Sequence, residues 1–186
     1  MSQAAIPRID AVDMGALTPA QDAAAQAMQA GPRGAVRGPF AVLLNSPGAF
    51  AAAQGLGTYL RFESALPANL RELAILATAR HWRQDYEWRV HATIARDVGL
   101  SEAAIASLAA GEEVSGLSLQ ESVVLAFCRQ LHETTNVDDA AFAAAAALLG
   151  TAGIIDLCSV CGYYAMLAMV MNVARNPLPA TPSPFD

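Results

Sequence analysis

The chain has 186 residues, a formal net charge of −6, 54% hydrophobic residues and 15% charged ones. Its 11 basic residues are all arginine, and alanine fills 41 positions. So few cations on an acidic chain speak against nucleic acid, which needs a basic face for its phosphates, and the apolar fraction speaks against disorder. A length of this order suits one domain or two small ones. The mean hydropathy of +0.33 is high for a soluble monomer, so a membrane span and a large buried interface both need weighing.

Met1 to Leu17 reads as an extended arm. It lacks the cationic start and apolar run of a secretory signal, so the expected location is cytoplasmic. Thr18-Pro19 is an N-cap followed by proline at the first helical position, and Gly31 closes that helix. Gly31 to Phe40 reads as loop. Ser46-Pro47 opens a second helix to about Phe62, and Pro67 a third to about Trp82. A break at Gln84-Asp85 starts a fourth that ends at Gly99, and Ser101 caps a fifth that ends before Gly111. Ser118 with Glu121 forms a capping box for a sixth helix running to about Glu133. Asp138 caps a seventh that ends at Gly150, and the eighth, Ile154 to Ala174, is stopped by Asn176-Pro177. Strand signals are almost absent, so the chain is all-α with about eight helices. The expected organisation is an arm and first helix over 1–38, a helical domain over 39–177 and a tail over 178–186.

The eighth helix is long enough to span a bilayer. It carries Asp156, Ser159, Tyr163, Tyr164 and Asn172, and no cationic cluster marks one side of it. An aspartate costs about 2.5 to 3.5 kcal/mol at the centre of a spanning helix. A helix buried by the rest of an oligomer is the preferred reading, with no membrane partner.

The segment Arg71 to Arg96 differs from everything around it. It holds five of the 11 arginines, two of the three histidines and both tryptophans. Glu87 and His91 are four apart on one helical face, which continues through Ile94 and Val98. A carboxylate and an imidazole facing a partly desolvated cleft can orient or exchange a proton. The competing reading is an exposed ion pair in a first helical turn, where the dipole favours glutamate; spacing alone favours it. Glu72, near the start of an apolar helix, has the same dipole explanation. His81 ends that helix, where imidazole is favoured electrostatically, and His132 receives no role.

Cys158-Ser-Val-Cys161 has the spacing of a redox pair, but it lies inside an apolar helix with no histidine or cation within a turn. Packing is the favoured reading. With Cys128 the chain has three cysteines, and no cysteine–histidine set has zinc-ligand spacing, so no metal is expected.

The stretch Leu70 to Gly111 resembles the carboxymuconolactone decarboxylase family, which is related to the alkylhydroperoxidase D proteins. The resembling features are R-E-L-A-I-L at Arg71–Leu76, Y-E-W-x-x-H at Tyr86–His91 and A-x-x-x-G-L-S at Ala95–Ser101. More loosely it extends from Pro39 to Pro177, including G-Y-Y at Gly162–Tyr164. The resemblance implies an alkylhydroperoxidase D-like helical fold in a homo-oligomer, a trimer or hexamer. In the peroxidase branch a C-x-x-C-x-x-x-H motif works with a glutamate twelve residues before its first cysteine. Here the histidine falls on His91 and the glutamate on Glu72, while the cysteine positions are Gln84 and Glu87. Both redox thiols are therefore absent from that motif.

The decarboxylase branch implies removal of carbon dioxide from a small carboxylated unsaturated lactone or related acid, with no cofactor. By this resemblance the catalytic residues are Glu72, Glu87 and His91: His91 protonates carbon, Glu87 orients or reprotonates it, and Glu72 supports both. Arg71 or Arg80 would bind the substrate carboxylate, and Tyr86 or His81 would donate to the developing oxyanion. Two alternatives stay open: a thiol peroxidase using Cys158 and Cys161, and a non-catalytic small-molecule binding oligomer of the same fold.

Overall fold

The computed structural model describes residues 6–175 and 183–185. Eight α-helices occur among them: α1 (Pro19–Ala30), α2 (Pro39–Leu43), α3 (Pro47–Thr58), α4 (Ala68–His81), α5 (Asp85–Asp97), α6 (Glu102–Ala110), α7 (Leu119–Thr134) and α8 (Asp139–Ala174). No strand occurs among the described residues. The chain divides into two compact units, whose described residues are 6–64 with 166–175, and 65–165 with 183–185.

In the first unit α1 packs on α3. Thr18 and Gln21 form a reciprocal capping box at the start of α1, and Gly31 closes it. The edge-to-face pair Phe40 and Phe50, 5.4 Å between centroids, sits in the core with Met28, Leu44 and Leu60. Two features depart from the sequence expectation. Pro39–Leu43 is a short helix where loop was expected up to Phe40; Gly38 takes a positive φ of 58°, and Pro39 supplies the fixed φ of a first helical position. The helix from Pro47 does not stay α-helical to Phe62 but widens at Tyr59–Glu63 into a π-helical turn, closed by Ser64 N–H donating to Tyr59 O. The described part of the N-terminal arm is tied down: Arg8 N–H donates to Ala174 O at 2.7 Å and Val12 N–H to Ala41 O at 3.0 Å.

The second unit is organised by α4, which packs against both α5 and α7. Leu70 and the whole run Glu72 to Ala79 are buried. A helix buried all round is apolar on every face, and α4 departs from that rule at two polar positions, Glu72 and Thr78. Each must find its partner inside the unit. Capping follows the sequence closely: Ser101 accepts from Ala104 N–H, Ser118 and Glu121 form a capping box, and Asp138 accepts from Ala141 N–H. Described residues of the C-terminal tail dock on this unit. Ser183 Oγ donates to Asp85 Oδ1 at 2.8 Å, and the buried Phe185 ring meets Trp88 edge-to-face.

The expected seventh and eighth helices run on as α8, broken at Gly150 (φ 65°, ψ 179°). Only glycine adopts that combination without strain. A Cβ at Gly150 would meet nothing within 4 Å, so the backbone alone sets the cost of substitution. Gly150→Ala is expected to destabilise the protein by about 1–3 kcal/mol, read as a lower urea midpoint. By length and composition α8 is able to cross a membrane, with mean hydropathy 1.8 over its most apolar window and 22% of that window buried. Ile155, Met166, Met169 and Val173 stand exposed along it. The expected Asn176-Pro177 stop lies outside the described residues.

Candidate active site

The only polar side chain that α4 buries in its first half is Glu72, 1% exposed. Its partner comes from α5. His91 Nδ1 lies 2.6 Å from Glu72 Oε2, and both side chains are buried. On the other edge of the ring, His91 Nε2 faces Glu87 Oε2 at 3.5 Å, one turn earlier on α5. The ring face is covered by Tyr164 of α8, edge-to-face at 4.9 Å between centroids. Arg71 Nε lies 3.7 Å from Glu72 Oε1, the side of the carboxylate turned away from His91.

This geometry rules out the exposed ion pair. Glu87 is 4% exposed and His91 3%, so they are not a solvated ion pair at a helix start. Nor does Glu72 serve the helix dipole: it is a buried hydrogen-bonding partner for the imidazole. Local sequence could place Glu87 with His91, because four residues return to one face. It could not place Glu72, which is 19 positions away and arrives through the packing of α4 on α5.

An imidazole between two carboxylates has a definite chemical consequence. Nδ1–H donates to Glu72, which fixes the tautomer and ring orientation. The opposite nitrogen then faces Glu87, and a bare lone pair facing a carboxylate is unfavourable. A proton on either group would sit between Nε2 and Glu87 Oε2, which stand 3.5 Å apart. The surroundings exclude water, which strengthens each of these interactions.

The remaining sequence candidates fall elsewhere. Arg80 and His81, at the C-terminal end of α4, line a cavity of about 610 Å³ together with Arg83, Arg129 and His132; Glu72, Glu87 and His91 are not among its lining residues. Arg80 and Arg83 also stack over the Phe185 ring. Tyr86 is half-buried, and its N–H donates to Gln84 Oε1, the cap of α5. The aromatic residue against His91 is Tyr164, which the sequence reading placed in the G-Y-Y feature without a site role.

His132, without a role in the sequence reading, is embedded in contacts. Its ring stacks on His81 at 4.9 Å between centroids, and its Nε2 lies 2.9 Å from Thr78 Oγ1. Thr78 Oγ1 donates to Ala74 O, so His132 Nε2–H is the donor to Thr78. Burial holds His81 below the usual imidazole range, His132 lowers it further and Glu133 opposes both. The folded state thus binds fewer protons than the unfolded chain as pH falls through about 6.5, so stability drops with acidification in that window. NMR titration should show His81 protonating below the ordinary histidine value. His81→Gln should flatten the dependence of the unfolding midpoint between pH 7 and pH 5.

Among the described residues, no group of three His, Cys, Asp or Glu side chains is placed to hold a metal ion. The segment that builds the Glu72–His91–Glu87 network also carries the chain's recognisable sequence. Residues 47–130 match the carboxymuconolactone decarboxylase family. The matched region of that family runs from α3 into α7, so it contains all three network residues and leaves Cys158 and Cys161 outside. A crystal structure from Agrobacterium tumefaciens, of a protein of unknown function suggested there to be the antioxidant defence protein AhpD, superimposes with a TM-score of 0.63. It is 19% identical and covers 75% of this chain and 96% of its own. That likeness is one of fold: the segment that matches the carboxymuconolactone decarboxylase family sits in an AhpD-like all-helical arrangement. No curated protein matches the chain.

Proposed function

We propose that the protein is a cofactor-independent acid–base enzyme of the carboxymuconolactone decarboxylase kind, acting on a small carboxylated unsaturated lactone or a related acid. The observation that carries this reading is the buried His91 ring held between Glu72 at 2.6 Å and Glu87 at 3.5 Å. Loss of carbon dioxide sends the electrons of the breaking carbon–carbon bond into the conjugated lactone carbonyl, and a proton must then reach carbon. His91 delivers the proton that it shares with Glu87, and Glu87 passes on its replacement from solvent. Glu72 keeps the ring in one tautomer and stabilises the imidazolium. Arg71, whose guanidinium already lies beside Glu72, is the cation that would hold the substrate carboxylate. The family match over 47–130 supports the reaction class.

The test is to follow the absorbance of carboxymuconolactone mixed with the purified protein. Turnover that disappears in His91→Gln is the expected result. A stable, folded protein that turns over neither this lactone nor other carboxylated unsaturated lactones would overturn the reading. In the same proposal the working form is a homo-oligomer, a trimer or hexamer, in which other copies cover the apolar side chains exposed along α8. Sedimentation equilibrium should return three or six times the chain mass, and a monomer would count against it.

A further inference from the structure

The cavity of about 610 Å³ at the C-terminal end of α4 lies inside the second unit and shares no residue with the Glu72–His91–Glu87 network. Helical period builds it. Ala77, Arg80 and His81 stand at i, i+3 and i+4 on α4, and Arg129, His132 and Glu133 repeat that spacing on α7. Each helix therefore turns one face to the cavity. Leu108 of α6 lines it as well, with Glu112 and Glu113 on the segment that follows.

Cations at the end of a helix serve its dipole, and the position of Arg80 and His81 fits that explanation. The dipole does not account for how the arginines are held. Arg80 is set by packing: its guanidinium lies over the Phe185 ring at 5.5 Å. It also approaches Gly111 so closely that a Cβ there would fall 2.5 Å from Nη2. Its Nε is buried and has no hydrogen-bond partner among the described residues. Buried polar groups are as a rule hydrogen-bonded, so this donor edge is left for the acceptor of a ligand. Arg129 uses Nη2–H on the Glu112 carbonyl at 3.1 Å, one of the five donors of a guanidinium. No ion pair joins Arg80 or Arg129 to a carboxylate among the described residues.

The rest of the lining restricts the ligand. Arg80, Arg83 and Arg129 are matched in number by Glu112, Glu113 and Glu133. Burial, the largest influence on it, holds His81 below the usual imidazole range, so it adds no charge near pH 7. Such a balance suits one negative charge and disfavours a polyphosphate. Ala77 and Leu108 are buried and apolar. The His81 and His132 rings stack with 18° between their planes, and His81 is exposed. That is a flat surface for another planar group.

We propose that this cavity binds a small planar monocarboxylic acid, with its carboxylate on Arg80 and Arg129 and its body against Leu108 and the imidazole stack. A guanidinium fork matches a carboxylate bidentately, and the volume is that of a small-molecule site. The site is separate from the acid–base network at His91, so binding here is an event distinct from turnover there.

The experiment titrates the native full chain with benzoate, followed by calorimetry and by the histidine ring-proton signals in NMR. The expected result is one site per chain with a dissociation constant of about 1 mM or below, and shifts at His81 and His132 but not at His91. Benzamide keeps the plane without the charge and should bind about tenfold more weakly or worse. Arg80→Gln and Arg129→Gln should each weaken benzoate about tenfold or more, with far-UV circular dichroism reporting intact helices. Calorimetry reads binding without turnover, so failure here and failure of the reaction proposed at His91 are distinguishable. Absence of binding at about 10 mM benzoate, equal binding of benzamide, or tighter binding of inorganic phosphate would each overturn the proposal. So would benzoate affinity unchanged in both arginine variants, or shifts at His91 with His81 unmoved.

Discussion

Replacing Glu72 by alanine is expected to cost about 3–5 kcal/mol of folding stability, the usual penalty for removing one partner of a buried charged pair. The size follows from what the substitution leaves behind. Glu72 is 1% exposed, its Oε2 lies 2.6 Å from His91 Nδ1, and its Oε1 lies 3.7 Å from Arg71 Nε. Alanine leaves a buried imidazole N–H without an acceptor and opens a cavity on α4 at the packing surface with α5. In a chain of this size the melting temperature should fall on the order of 10 °C. Glu72→Gln keeps the volume and an acceptor oxygen, so it should lose much less stability. Urea unfolding of both variants checks this, and a loss below about 1 kcal/mol in the alanine variant would contradict a buried hydrogen-bonded pair.

The second large effect concerns chemistry with little change in fold. His91→Gln should lower kcat on the lactone about 10²–10⁴-fold, the range for losing a positioned general acid or base. The amide retains hydrogen bonding toward both carboxylates, whose oxygens stand 2.6 and 3.5 Å from the present ring nitrogens. On the proposed roles, with the ring acting on the transferred proton and Arg71 on the substrate carboxylate, KM should move far less. A loss confined to KM would assign His91 to binding.

Much of the fold is legible in the sequence because capping is a local code. Thr18, Ser101, Ser118 and Asp138 each hold their helix start as their residue types suggest, since a side-chain oxygen needs only to reach an N–H three residues on. Pro39–Leu43 and the wide turn at Tyr59–Glu63 were not legible. Both are short, and their form depends on packing in the first unit more than on propensity. The candidate site divides in the same way. Glu87 and His91 were readable as neighbours from helical period, and Glu72 entered only through the family resemblance. Arg80 and His81 share the motif-bearing segment with Glu72 yet lie at the far end of α4, about two and a half turns along, where they line another cavity.

By itself the sequence determined an all-α chain, its helix starts, a glutamate–histidine face on α5 and a resemblance of Leu70–Gly111 to a recognisable family pattern. It also determined the uneven arginine distribution, five of 11 within Arg71–Arg96. Tertiary structure alone decided that Glu72 reaches His91 across 19 positions, that Tyr164 covers the ring, and that Cys161 pairs with Cys128 beside His132. The reason is geometric. Helical period fixes which residues of one helix share a face, whereas which faces meet depends on how whole helices pack, and that choice is made by the summed burial of many side chains that no local pattern encodes.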